Sequence, residues 1–248
     1  MRIVLGKEIA QIDRMACEDY GISGLWLMEN AGGAVADFAK RLFAELNLDK
    51  KGCISLLAGG GNNGGDALVV ARLLAEAGFQ TVTVLLSDPK KYKGDALSNW
   101  RRFQELNLPF YPLYEKNSYE KNHETSSESA DDLAEFKTIL QSSVMIIDGV
   151  FGTGFHGSAR GIAAVALDAA NRCGCVKLAI DLPSGVNAND GSVTGIAFQA
   201  DYTVTFGWEK YGAKVYPAKE YVGAVKIADI GLPKELLGKI ESDITEVD

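Results

Sequence analysis

Apolar positions along this chain alternate between two periods. Residues 7–20 place Ile9, Ile12, Met15 and Ala16 on one helical face. A second helix is expected after Gly24, with Met28, Ala31, Gly32, Val35, Phe38 and Leu42 as its buried stripe. Short runs that are apolar throughout then appear: CISLLA (53–58), TVTVLLS (81–87), SVMIID (143–148), VKLAID (176–181), YTVTFG (202–207) and AVKIAD (224–229), with a shorter candidate at PFYPL (109–113). Helical stretches separate them: ALVVARLLAEAG (67–78), a segment from Gly94-Asp95 to near Asn107, and GIAAVALDAANRCG (161–174). Strands of this kind alternating with helices predict a parallel sheet covered on both faces. The expected class is therefore α/β, a mostly parallel doubly wound sheet preceded by two extra N-terminal helices. Residues 115–131, EKNSYEKNHETSSESAD, lack an apolar period and read as a polar surface insertion. No repeat, linker or second core divides the chain, so 1–248 is expected to be one domain.

Composition narrows the class. Hydrophobic residues make up 47% of the chain, enough to fill a core without disulfides or a structural metal. A net charge of −8 argues against a non-specific nucleic-acid binder. Cys17, Cys53, Cys173 and Cys175 show no CxxC or zinc spacing, so reduced thiols and a cytoplasmic location are expected. The opening MRIVLGKEIAQIDRM turns polar after five residues, unlike a secretory signal, and no apolar run is long enough for a membrane-spanning helix.

The candidate chemistry lies where strands end. Residues 58–70, AGGGNNGGDALVV, join the first long strand to a helix, the position at which doubly wound sheets bind ligands. Gly59, Gly61 and Gly64 match the GxGxxG spacing of a dinucleotide-binding loop, but Asp66 would compete with a pyrophosphate for the positive helix end. A phosphate-binding P-loop would need a Gly-Lys-Ser/Thr that is absent. A third reading uses Asn62, Asn63 and Asp66 directly, as amide and carboxylate ligands. In a fourth, Asn and Gly merely supply a turn and Asp66 caps the helix. Two further strands end in acids, Asp148 before GVFGTGFHGSARG (149–161) and Asp181 before LPSGVNANDG (182–191). Asp148, Ser184 and an asparagine amide are all oxygen donors, a set that suits a hard cation better than zinc or copper. His123 lies in the polar insertion and His156 in the second glycine-rich loop; neither supports a metal centre.

LMENAG (27–32), GGGNNGGDALVVARLL (59–74), KGDAL (93–97), DGVFGTGFHG (148–157), DLPSGVNANDG (181–191) and DIGLP (229–233) occur in that order. Over nearly its whole length the chain thus resembles the YjeF N-terminal domain family, the NAD(P)H-hydrate epimerases, which includes the apolipoprotein A-I-binding proteins. The resemblance implies a Rossmann-like domain, often a homodimer, that interconverts the R and S epimers of NADHX and NADPHX. A separate S-specific dehydratase then restores the coenzyme. It implies ligand contacts at Asn62, Asn63, Gly64, Gly65 and Asp66, at Gly152, Thr153, Gly154, Phe155, His156, Gly157 and Ser158, and at Asp181. It implies one potassium ion per subunit, held by Asn63, Asp148 and Ser184. Lys210 matches a family lysine and is expected to meet phosphate. Asp181, and after it Asp66, is the expected catalytic carboxylate. Phe155-His156 and Trp208-Glu209 depart from the usual GTGLRG and TFGxPK patterns. No dehydratase domain follows in this sequence, so a partner enzyme is expected. The alternative is a binding module of the same fold, without catalysis, that takes a nucleotide or a protein.

Overall fold

The computed structural model describes residues 3–49, 51–114 and 127–239. Its elements run β1 (Ile3–Val4), α1 (Gly6–Tyr20), α2 (Gly24–Glu45), β2 (Cys53–Ala58), α3 (Asn62–Glu76), β3 (Thr81–Leu85), α4 (Gly94–Glu105), β4 (Phe110–Pro112), α5 (Ser127–Gln141), β5 (Ser143–Gly149), α6 (Gly161–Asn171), β6 (Val176–Ile180), β7 (Tyr202–Phe206), β8 (Glu209–Lys210), α7 (Tyr211–Lys214) and β9 (Ala224–Ala228). Seven strands form one sheet in the order β4-β3-β2-β5-β6-β7-β9, and every pairing in it is parallel. The expected α/β architecture stands.

Alternation along the strands feeds two cores. Ile54, Leu56, Met145 and Ile147 point to the face covered by α2, α3 and α4, where Val35, Leu42, Val70 and Trp100 complete the packing. Leu57, Val84, Ile146 and Ala179 point the other way, onto Phe136 and Leu140 of α5 and Leu167 and Ala170 of α6. Of the two N-terminal helices, α2 is one of the covering helices of the first face. The other, α1, packs its Ile12 and Ala16 against Leu27, Ala31 and Ile230, in a smaller cluster of its own. Next to it, β1 pairs with β8, setting Val4 beside Lys210.

Two expectations need correction. The insertion ends sooner than its composition suggests, because α5 begins at Ser127. Leu133, Phe136 and Leu140, at i, i+3 and i+7, give this helix an apolar face that the polar residues around them obscure. Residues 115–126, with His123, lie outside the described residues. The second correction concerns α3, which starts at Asn62 rather than Ala67, so the NNGGD stretch is helix and not loop. Gly61 is its N-cap and no side chain caps it, so Asp66 is not the cap. No helix among the described residues is long and apolar enough to cross a membrane.

Candidate active site

The strand order reverses between β2 and β5. The chain leaves β2 for α3 on one face, and leaves β5 for α6 on the other. Loops that diverge to opposite faces leave a crevice beyond the carboxyl ends of the strands. A cavity of about 900 Å³ opens there. Its walls come from α1, the start of α3, the loop after β5, Asp181 after β6, and Lys210 on β8.

Only part of the glycine-rich stretch faces this cavity. Gly60, Gly61, Asn62, Asn63 and Asp66 line it, whereas Gly64 and Gly65 do not. A Cβ on Gly64 would stand 1.9 Å from the Gly59 carbonyl oxygen, and one on Gly59 would stand 2.0 Å from that of Val150. A Cβ on Gly65 would lie 2.7 Å from the Met28 sulfur. These glycines let three backbone segments and α2 close on one another. At Gly64 and Gly65 the missing Cβ makes room for close internal packing. From the second loop, Gly152, Thr153, Gly154, Phe155 and His156 line the cavity, while Gly157 and Ser158 do not. The rings of Phe151 and Phe155 stack on this wall with centroids 4.6 Å apart.

Asp148, Ser184 and Asn63 converge on the turn that follows β5. The Ser184 hydroxyl donates to Asp148 Oδ1 at 2.6 Å, and the Ser184 and Val150 backbone N–H groups donate to the same carboxylate at 2.7 and 3.1 Å. Asn63 Nδ2 donates to the Phe151 carbonyl at 2.8 Å, and the Phe151 N–H donates to Ser184 Oγ at 2.8 Å. Asp148 is fully buried, and burial pushes its carboxyl up to about 6 against the lowering by those donors. No cationic side chain among the described residues pairs with it. A buried carboxylate without a cation, beside carbonyl, hydroxyl and amide oxygens, is a donor set that fits a weakly held monovalent ion. Among the described residues there is no His/Cys/Asp/Glu cluster of the kind a transition metal needs.

Asp181 has the opposite surroundings. Lys210, only 1% exposed, donates to Asp181 Oδ1 at 2.5 Å, to Thr205 Oγ1 at 3.0 Å and to the Phe206 carbonyl at 3.0 Å. Its three ammonium hydrogens are thereby taken up internally. Lys210 thus fixes Asp181 within the cavity lining. Asp181 also accepts from Thr205 Oγ1 and the Phe206 N–H, both at 3.3 Å, and its φ of 65° lies in the left-handed region. Asp66 is 7% exposed, and among the described residues its carboxyl has no side-chain hydrogen-bond partner. Burial first, then Asp181 and Asp13, push that carboxyl well above the usual range, against the opposing pull of Lys210.

A sequence model described as YjeF-related protein N-terminus matches residues 24–212. The chain belongs to the YjeF-related N-terminus family. An NAD(P)H-hydrate epimerase of Elusimicrobium minutum is 32% identical over 97% of this chain and the whole of that protein. A bifunctional NAD(P)H-hydrate repair enzyme of Moorella thermoacetica is 35% identical over 96% of the chain, and another of Thermofilum pendens is 34% identical over the same share. The chain spans only 42% and 41% of those two proteins. The crystal structure of the yeast protein ynu0 superposes with a TM-score of 0.75 at 19% identity, covering 99% of this chain and 98% of that one, a likeness of fold. The YjeF match begins at α2, so α1 lies outside it. Sequence reasoning had passed over α1 as part of the site, yet Ile9, Asp13, Arg14 and Cys17 of that helix line the crevice. The signal was present, because Asp13 follows Ile9 by four positions and places a charge beside the apolar stripe.

Proposed function

We propose that this YjeF domain is an NAD(P)H-hydrate epimerase acting on NADHX and NADPHX. The carrying observation is the crevice at the strand reversal, where Asp66 and the Lys210-bound Asp181 share one wall system with Asn62, Asn63 and the glycine loop after β5. The relatives named NAD(P)H-hydrate epimerase support the same reading, since one of them is matched along its entire length. A binding module without chemistry has no need of a buried acid lacking a partner, so the epimerase reading is preferred.

The reaction inverts C6 of the hydrated nicotinamide ring. The lone pair of ring N1 expels the hydroxyl as a proton reaches it, which leaves an iminium cation; water then returns to the other face. Asp181, paired with the Lys210 ammonium, offers negative charge to that cation. This revises the order of candidates: Asp66, whose burial favours the protonated carboxyl, becomes the acid for the departing hydroxyl. Phe151 and Phe155 provide an apolar wall for a ring. Asn63, Asp148 and Ser184 would hold the potassium ion, which supplies charge balance for Asp148 and order for the loop it joins. A separate dehydratase, a homodimeric state and a cytoplasmic location belong to the same proposal.

The test mixes the protein with R-NADHX and an S-specific dehydratase, and follows recovery of NADH absorbance. Consumption of the R epimer well above the uncatalysed rate is expected. Recovery at the spontaneous rate, with a folded protein, rejects the activity.

A further inference from the structure

An epimerase that works in both directions has two proton tasks. The departing hydroxyl needs a proton, and the returning water must lose one. Asp66 answers one of them. Lys210, Thr205 and the Phe206 N–H are all directed at Asp181 Oδ1, which holds that acid in place as the charge facing the cation. A second acid–base group is required, and the crevice holds a candidate that neither the motif pattern nor the family match includes.

That candidate is on α1. Two attachments at its start press the helix onto the crevice. A Cβ on Gly6 would stand 2.7 Å from the Ala188 Cβ and 3.2 Å from the Thr153 carbonyl oxygen. The Lys7 N–H donates to Asn189 Oδ1 at 2.9 Å. Two turns further on, Asp13 lies in the cavity lining with Asp66, Asp181 and Lys210. Among the described residues its carboxyl has no hydrogen-bond or ion-pair partner. It is exposed toward the crevice, where a substrate would meet it.

We propose that Asp13 is a catalytic acid–base residue, supplied by α1 and paired across the crevice with Asp66. In one direction Asp66 gives its proton to the departing hydroxyl: the C6–O bond breaks, its electron pair leaves as water, and the C6=N1 bond forms. Water then adds to C6, the C=N electrons return to N1, and the Asp13 carboxylate takes the proton that this water releases. The opposite epimerisation runs with the two roles exchanged, and solvent resets the pair between turnovers.

The electrostatics agree with this division. Desolvation first, then Asp181, push the Asp13 carboxyl up to about 6, while Lys210 opposes them. Burial also pushes the Asp66 carboxyl well above its usual range and favours its protonated form. Asp66 is buried and Asp13 is open to the crevice, so the two acids have different surroundings. Arg14, Cys17, Asp95 and His156 are the other charged or titratable side chains in the lining.

This inference rests on the epimerase reading, and the test separates the two. Rates of R-NADHX consumption, with the uncatalysed rate subtracted, are measured from pH 5 to 8 for the wild type, Asp13→Asn and Asp13→Glu. Wild-type kcat is expected to fall as pH drops through about 6, where Asp13 takes up its proton. Asp13→Asn removes charge from a cluster of acids and leaves helix α1 intact. It is expected to lower kcat by about a hundredfold or more, with KM nearly unchanged, and to abolish the acidic limb. Asp13→Glu is expected to keep the limb and part of the rate. If the wild type is inactive, the epimerase reading itself fails. If the wild type is active and Asp13→Asn keeps its rate and its acidic limb, or loses only KM, the role of Asp13 is overturned. A wild-type profile flat through pH 6 overturns it as well.

Discussion

Asp148 and Asp181 are close to a matched pair in sequence. Each leaves an apolar strand at its carboxyl end and enters a loop rich in glycine or proline, and the strands, β5 and β6, are neighbours. Their surroundings nevertheless oppose one another. Asp148 is ringed by neutral donors, namely two backbone N–H groups and one hydroxyl, and lacks a cation. Asp181 has a buried ammonium of its own. Burial is nearly the same for both, so the partner, and not depth, separates them: Asp181 has an ammonium of its own, and Asp148 is the one that the proposed potassium ion would balance.

The strongest way to break this comparison is to take away the internal cation. Lys210→Met leaves Asp181 buried without its ammonium, and a loss of about 3–5 kcal/mol in urea unfolding is expected, the usual penalty for halving a buried pair. Asp181→Asn is milder for folding but expected to lower epimerisation about 10²–10³-fold, as the loss of a charge stabiliser does. Full activity in that variant would remove Asp181 from the reaction.

Asp148 sharpens the other side. Its raised carboxyl favours the folded state when protonated, so this contribution is complete below the unfolded value of 3.8 and is lost as pH rises through about 6. In buffer whose only cation is too large for the site, the thermal midpoint should fall between about pH 4 and 6 and level off above, with Asp148 responsible for roughly 3 kcal/mol at most. Potassium should restore the midpoint at pH 7 and have little effect at pH 5. Asp148→Asn should erase that response, and a potassium effect that survives the substitution would remove Asp148 from the ion site. The smallest effects are expected from the flanking hydroxyls. Ser184→Ala loses a short bond to a carboxylate, and Thr205→Val loses a 3.0 Å bond from the buried Lys210 ammonium together with a 3.3 Å contact to Asp181; each should cost about 1.5–3 kcal/mol in the same unfolding measurement.

Strands buried on both faces were legible because their composition answers to one environment. The edge acids were legible for a related reason, as a charge that ends an apolar run marks where the strand emerges. The glycines of 59–65 were harder to interpret, because closeness to a ligand and closeness to another backbone leave the same signature. At Gly59, Gly64 and Gly65 the neighbour is the protein itself. Helix α5 was hidden by its own polarity, since Leu133, Phe136 and Leu140 are sparse among acids and serines. Asp13 was missed because its role depends on where α1 docks, and that is decided by contacts with Thr153, Ala188 and Asn189, all more than a hundred residues away.

The left-handed backbone at Asp181 restricts what mutation can do there. With φ at 65°, the position admits glycine freely and asparagine or aspartate with ease, and it burdens other residues with about 1–2 kcal/mol. Of the three that fit, one alone carries a charge. A glutamate, though chemically equivalent in a test tube, would arrive with both the wrong reach and an unwelcome main chain. The geometry of a single turn thus narrows the alphabet available to drift, and descendants of this chain that part with this acid should most often carry asparagine or glycine in its place.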